Sequence, residues 1–241
     1  MPGRFSGVQA RLKELCPESL FVHCANHSLD LVLQEAAREV SLIADTMTFV
    51  QGIAVVIRES SKRKELYESM FGCDAVVTIL AVCPTGWCIR TTAIKRVCNA
   101  YIHIIETLEQ LKDDKSVRGE TRAKIGGLYK QALKAKTYFG LLCCEALFEP
   151  CEAVARSLQH SKASALGALE CTEFLGKRME ALRDDKVVEN MLHKVSTTAG
   201  LKMPDERMKK TPVRYRHTAE PEAAAQHSWR CEFFEAVDLV T

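Results

Sequence analysis

The chain has 241 residues, of which 47% are hydrophobic, so it can bury a core in one large domain or two small ones. Its formal net charge of +2 argues against a histone-like basic protein and confines any nucleic-acid contact to a local patch. Charged residues interrupt the apolar stretches along the chain, and they also occur among its first residues. We therefore expect neither a membrane-spanning segment nor a secretory signal.

The cysteines indicate the redox compartment. There are 11 of them, an odd number, and without a secretory signal we interpret them as reduced thiols of an intracellular protein. No two cysteines have the Cys-x-x-Cys spacing, so the chain does not encode a conventional zinc finger.

The first 40 residues predict two helices around a short strand. Apolar residues at helical spacing predict a helix over 8–15, which the following Cys-Pro pair ends. Phe21 and Val22 are β-formers and predict a short buried strand. A sharp turn over 23–27 then leads into a helix with one apolar face, which continues to Val40.

The middle of the chain predicts further amphipathic helices. The spacing of apolar residues predicts helices over 41–57 and 91–111. Between them, the short apolar run 75–82 fits either a buried strand or a helical piece. Another helix is predicted over 120–147, with a bend or restart at Pro150 because proline lacks a backbone donor.

The last part of the chain changes character twice. Helical spacing continues over 163–182 and 187–195. From 199 to 226 the apolar periodicity disappears while prolines and charges accumulate, so we interpret this stretch as a loop or linker. Apolar residues over 229–239 predict a last amphipathic segment.

Several short motifs occur in a fixed order. HCANH places His23, Cys24 and His27 at the predicted turn, and CPTGWCIR carries Trp87 and Arg90. LFEPCEAVARSLQ and FFEAVD follow further along the chain. This series resembles hAT-type transposases, in particular the domesticated transposase-like proteins of the zinc-finger-MYM-type and TTF-type groups. Each motif is weak alone, and the shared order over nearly the whole chain carries the resemblance.

The resemblance implies a fold class and a domain organisation. It predicts a mainly α-helical chain, with a helical bundle and a small α/β remnant of an RNase H-like core at the N-terminus. The partial core with its Cys-x-x-His turn would occupy 1–90, and the helical insert 91–198. A basic linker over 199–226 and a returning amphipathic segment over 227–241 would follow.

The resemblance also implies that this chain is not an enzyme. The family holds two metal ions with an Asp, Asp, Glu set. The first two acids would lie before Met1 and the Glu beyond Thr241. Gly86 also stands where the family has an arginine. Glu232 and Glu235 fit ordinary surface charges of an amphipathic helix, so we expect a catalytically inactive chain.

Metal binding is the first candidate for a site. Cys24 and His27, with His23 as a further candidate in the same turn, supply two of the four ligands that structural zinc requires. The structural alternative is a buried strand cysteine and a histidine bonded within the first helical turn. On this ligand count we expect no cofactor, and zinc stays the one candidate.

Nucleic-acid binding is the second candidate. A cluster of basic residues in the predicted linker could contact phosphates in a salt-dependent manner. The alternative is a solvated linker, which is what most runs of charge are. The cluster comprises Lys202, Arg207, Lys209, Lys210, Arg214 and Arg216.

These observations combine into one functional hypothesis. The chain is expected to be a transposase-derived, inactive fragment that acts in the nucleus as a protein-interaction or dimerisation module. Its expected partners are a second copy or another protein, together with weakly bound DNA, and no membrane. The alternatives are a helical scaffold or adaptor unrelated to transposition, and a truncated gene model of an active DNA transposase.

Overall fold

The computed structural model describes residues 7–18, 25–81, 87–159, 164–198, 200–201 and 221–241. This part of the chain forms eleven helices. They are α1 (Val8–Leu15), α2 (Ala25–Glu39), α3 (Ser41–Arg58), α4 (Ser61–Ser69), α5 (Trp87–Asn99), α6 (Tyr101–Asp113), α7 (Gly119–Ala132), α8 (Ala135–Leu158), α9 (Ala165–Leu182), α10 (Asp185–Thr197) and α11 (Pro221–Asp238).

The fold confirms the prediction of a mainly helical chain, whereas the α/β remnant stays a prediction, and the described residues contain no β-strand. The strand predicted at Phe21 and Val22 lies outside them. The apolar run after α4 is predicted as either a buried strand or a helical piece. It is neither, because 75–81 has no regular secondary structure. The Tyr67 hydroxyl donates to the Val77 carbonyl at 2.5 Å, and the Arg96 guanidinium donates to the Thr78 carbonyl at 3.0 Å. Side chains of α4 and α5 thus satisfy two backbone carbonyls of this segment.

Two predicted helices are each divided in the structure. The helix expected over 91–111 breaks at Ala100, whose φ of −98° and ψ of 13° are not helical. The helix expected over 120–147 breaks between α7 and α8. There the Tyr101 hydroxyl donates to the Ala132 carbonyl at 2.8 Å, and the Thr137 hydroxyl donates to the Gln131 carbonyl at 2.7 Å. These bonds satisfy the last carbonyls of α7, so the helix can end there.

Pro150 does not end α8, so the predicted restart of the helix is wrong, while the predicted bend stays a prediction. The helix continues from Ala135 to Leu158 with Pro150 in its interior. Proline leaves one carbonyl of the preceding turn without its amide partner and costs about 3 kcal/mol. The burial of Phe148, Pro150 and Cys151 offsets this cost.

α8 forms the centre of the fold. It packs against α2, α3, α5, α7, α9, α10 and α11. Nearly all buried apolar residues of the described part belong to one cluster that extends from Leu33 on α2 to Val240 after α11. A single core therefore connects the N-terminal helices, the middle of the chain and the last helix.

α3 combines length with high hydropathy. It has 18 residues and a mean hydropathy of 1.3, so by length and composition it could cross a membrane, which differs from our expectation. In the fold, 50% of this stretch is buried. Ile43, Phe49, Val50 and Ile53 are fully enclosed. A helix in the core of a folded protein needs the same apolar composition. The enclosed apolar residues of α3 belong to such a core.

α11 begins earlier than the sequence indicates. Its first residue is Pro221, inside the stretch predicted as a loop or linker up to residue 226. Proline is favoured in the first helical turn because its missing N–H has no intrahelical partner there. The three alanines that follow, Ala223 to Ala225, have the highest helix propensity. These local preferences extend the helix over residues that show no apolar periodicity.

Candidate functional site

The predicted turn motif is only partly described. His27 lies in the first turn of α2, where its side chain is exposed. His23 and Cys24 lie outside the described residues. Metal binding by Cys24 and His27 therefore stays a prediction, and so does the structural alternative.

The second motif lies at the start of α5. Trp87 is the first residue of this helix, and the side chain of Trp87 is outside the described part. Arg90, one turn later, is buried, as is its neighbour Thr91. The Thr91 hydroxyl has no hydrogen-bond partner in the described part of the chain. Arg90 is thus directed into the fold, where it can support the structure of this helix start.

The predicted basic cluster cannot be placed. Lys202, Arg207, Lys209, Lys210, Arg214 and Arg216 all lie outside the described residues. Contact with nucleic acid through these side chains stays a prediction.

The inner face of α11 anchors the last helix in the core. Trp229, Phe233, Ala236 and Val237 are buried, and the Trp229 ring lies 5.6 Å from the Phe139 ring on α8. These residues include part of the FFEAVD motif. The motif therefore works, at least in part, through packing.

Glu232 is a structural residue, which differs from its interpretation as an ordinary surface charge. Its carboxylate accepts hydrogen bonds from the Leu42 amide at 3.0 Å and the Ser41 hydroxyl at 2.8 Å, at the start of α3. The Lys136 ammonium on α8 donates to the other carboxylate oxygen at 2.8 Å. The N-cap residue of α3, Val40, has no side-chain acceptor. A carboxylate from α11 thus caps α3 and ties it to α8.

The outer face of α11 carries a cysteine and a histidine in contact. His227 and Cys231 are four residues apart, so they lie on the same side of the helix. The Cys231 sulfur is 3.7 Å from His227 Nε2, and both side chains are exposed. The sequence signal was the His-x-x-x-Cys spacing, which becomes informative once the helix is known to include His227.

A groove of about 550 Å³ lies beside this pair. Arg230 donates to the Asp185 carboxylate across it, and Arg183 forms an ion pair with Asp238. Cys231 and Glu235 line the same groove. Its charged lining consists of Arg183, Arg230, Asp185, Glu235 and Asp238, so carboxylates outnumber guanidinium groups. Among the described residues, no three His, Cys, Asp or Glu side chains converge closely enough to hold a metal.

α9 exposes apolar side chains that a core helix would bury. Leu166 is 66% exposed, Leu169 56% and Phe174 52%. Next to them, α8 and α9 enclose a groove of about 540 Å³, lined by apolar residues such as Val154 and Leu158. The inner side of α9 packs normally, since Leu175 and Met179 are buried. The helix therefore buries one apolar face in the core and leaves further apolar side chains in solvent.

The cysteines of α8 are suited to packing. Cys143 and Cys144 are completely buried, and burial raises the pKa of both thiols. Burial also raises the pKa of Cys151 to about 12. A thiol with a raised pKa is protonated at neutral pH, so these cysteines are poor nucleophiles and poor metal ligands. Cys231 differs from them in its exposure and in its histidine neighbour.

Comparison with known proteins gives no relative. No protein-family model, no curated protein and no solved structure matches this chain. The resemblance to transposases therefore stays a prediction from the motifs. The geometry of the described residues carries the functional proposal.

Proposed function

We propose that this chain is a protein-interaction module that associates with a second copy of itself through the outer face of α9. The observation that carries the proposal is the exposure of Leu166, Leu169 and Phe174 on one helix, beside an apolar groove. Exposed apolar clusters of this kind mark interaction surfaces more often than isolated exposed residues do.

The charges of α9 favour a second copy as the occupant. Glu170 and Glu173 lie in the N-terminal half of the helix, and Lys177 and Arg178 lie in the C-terminal half, all of them exposed. Glu180, nearer the end of the helix, is exposed as well. If two copies pair antiparallel about a twofold axis at the middle of this helix, Glu170 of each copy faces Lys177 of the other. One patch then serves both copies, which is the geometry of an isologous dimer. The exposed apolar residues would be covered in the same contact.

The proposed origin is a transposase. The ordered motifs around Cys24, Trp87 and Arg90 support descent from the hAT-type group, with the N-terminal part as a remnant of an RNase H-like core. We propose a catalytically silent chain, and the resemblance to that family favours a place in the nucleus. A weak contact with DNA through the basic cluster at 202–216 belongs to the same proposal.

Self-association is tested by sedimentation of Leu169→Glu across a range of concentrations. The wild-type chain should form dimers, and the variant should be a monomer because a charge would be buried in the contact. Leu31→Glu is the matched control, since Leu31 is similarly exposed (51%) on α2. This control should dimerise as the wild type does. A monomeric wild-type chain at all concentrations would refute the interaction proposal.

The proposal of a catalytically inactive, transposase-derived chain is tested separately. The purified chain is incubated with duplex DNA and Mg²⁺ or Mn²⁺, and strand cleavage and hairpin formation are measured. We expect none, and robust metal-dependent cleavage would contradict the proposal. A filter-binding titration at several salt concentrations tests the DNA contact. Affinity that falls steeply with salt supports a phosphate contact, whereas indifference to DNA favours the unrelated scaffold.

A further inference from the structure

His227 and Cys231 on α11 take no part in the proposed α9 interface. The Cys231 sulfur and His227 Nε2 lie 3.7 Å apart on the exposed side of the helix. Thiolate and imidazole are the two side-chain groups that zinc binds most often. Divalent ions of similar chemistry also bind these two groups together.

The spacing of the two atoms matches one metal ion. Zinc lies about 2.3 Å from a thiolate sulfur and 2.0–2.1 Å from an imidazole nitrogen, so tetrahedral geometry separates the two ligand atoms by roughly 3.6 Å. The distance in the structure is 3.7 Å. An ion can thus be held by both atoms with little change in the distance between them, and the helix keeps the two residues on the same side.

The surroundings also favour a cation. The adjacent groove is lined by Asp185, Glu235 and Asp238 against two arginines. Arg230 and Arg183 are each engaged with one of these carboxylates. The local balance is therefore acidic, which attracts a divalent cation toward the pair. Both ligands are exposed, so an ion reaches them directly from solvent.

We propose that His227 Nε2 and Cys231 Sγ form a binding site for a zinc-type divalent cation. On binding, the Cys231 thiol loses its proton to solvent and coordinates as a thiolate, and His227 coordinates through its neutral ring. Two protein ligands leave two positions of a four-coordinate ion to water. The site is open, with one ion per chain, and is separate from the predicted pair Cys24 and His27.

The test uses cobalt(II), which takes zinc sites and reports a thiolate ligand by a charge-transfer band in the near ultraviolet. The full chain, reduced and freed of metal with a chelator, is titrated with cobalt(II) and then with zinc. The wild type should show the band at one equivalent, and zinc should remove it. Cys231→Ser should abolish the band, and His227→Ala should weaken cobalt binding on the order of tenfold or more.

The controls separate this site from other thiols and imidazoles. Cys73→Ser changes another exposed cysteine and His193→Ala another exposed histidine, and both should bind as the wild type does. A band that persists in Cys231→Ser would overturn the proposal. So would a band that Cys24→Ser or His27→Ala removes while His227 and Cys231 are intact. Leu169→Glu should keep the band, so failure of self-association and failure of this site are distinguishable.

A second readout does not depend on cobalt. Zinc should protect Cys231 from alkylation, measured by mass spectrometry of its peptide, in the wild type but not in His227→Ala. Both residues are exposed, so neither variant is expected to unfold, and circular dichroism checks this. Equal alkylation of Cys231 with and without zinc in the wild type would contradict the site.

Discussion

α8 and α9 are neighbouring helices of similar apolar content that use it in opposite ways. α8 is buried over most of its length, and its phenylalanines and all three of its cysteines are almost inaccessible to solvent. α9 buries Leu175 and Met179 but leaves Leu166, Leu169 and Phe174 in solvent. Neighbouring elements cover α8 on several sides, whereas in the described part of the chain α9 packs mainly on α8 and α11.

Apolar content alone therefore does not identify a core helix. The same residue types stabilise the fold in α8 and are available for a partner in α9. A change in or beside α8, paired with its counterpart in or beside α9, measures this contrast directly.

The largest contrast is expected between two phenylalanines. Phe139 on α8 is fully buried against Trp229, so Phe139→Ala should cost about 3–5 kcal/mol of unfolding free energy. Phe174 on α9 is half exposed, so Phe174→Ala should cost less than about 1 kcal/mol at concentrations where the chain is monomeric. Urea denaturation measures both. Equal costs would show that α9 is as well packed as α8.

Two glycines give the next contrast. A Cβ at Gly140 on α8 would overlap the Thr46 hydroxyl and lie 3.1 Å from Leu42 Cδ1. Gly140→Ala should therefore destabilise the fold by about 1–3 kcal/mol. A Cβ at Gly176 on α9 meets no atom within 4 Å, so Gly176→Ala should stabilise it by roughly 0.5–1 kcal/mol. Thermal unfolding gives both signs, and a stabilised Gly140→Ala would refute the close contact of α3 with α8.

Two ion pairs give the smallest contrast in stability. Glu232 joins Lys136 on α8 to the start of α3, so Glu232→Ala should cost about 1–3 kcal/mol because two part-buried donors lose their acceptor. Asp238 pairs with Arg183 at the end of α9, where both side chains are half exposed. Asp238→Ala should cost no more than about 1 kcal/mol. If the two variants unfold at the same urea concentration, the capping role of Glu232 is excluded.

The sequence predicts the helices well and their limits less well. Helical spacing identifies the regions of α1, α3, α9 and α10, because apolar residues recur along each of them at the period of a helix. It misses the break at Ala100 and the continuation through Pro150, since both depend on what packs against the chain. The local sequence preferences therefore do not predict where these helices begin and end.

The site residues divide in the same way. His227 and Cys231 have a spacing that a helix turns into a contact, so their sequence positions contain the signal. The bonds of Glu232 to Ser41 and Leu42 join residues about 190 positions apart, and no local pattern indicates them. The exposure of Leu169 also depends on which helices cover α9. The metal and basic motifs around Cys24 and Lys202 stay predictions.

The charge pattern of α9 tests self-association most directly. In the antiparallel arrangement, Glu170 of each copy faces Lys177 of the other. Glu170→Lys and Lys177→Glu should each be monomers in sedimentation velocity, because each variant sets like charges opposite one another. Mixed in equal amounts, the two variants should form heterodimers. Dimers of either variant alone, or a mixture that stays monomeric, would contradict the α9 interface.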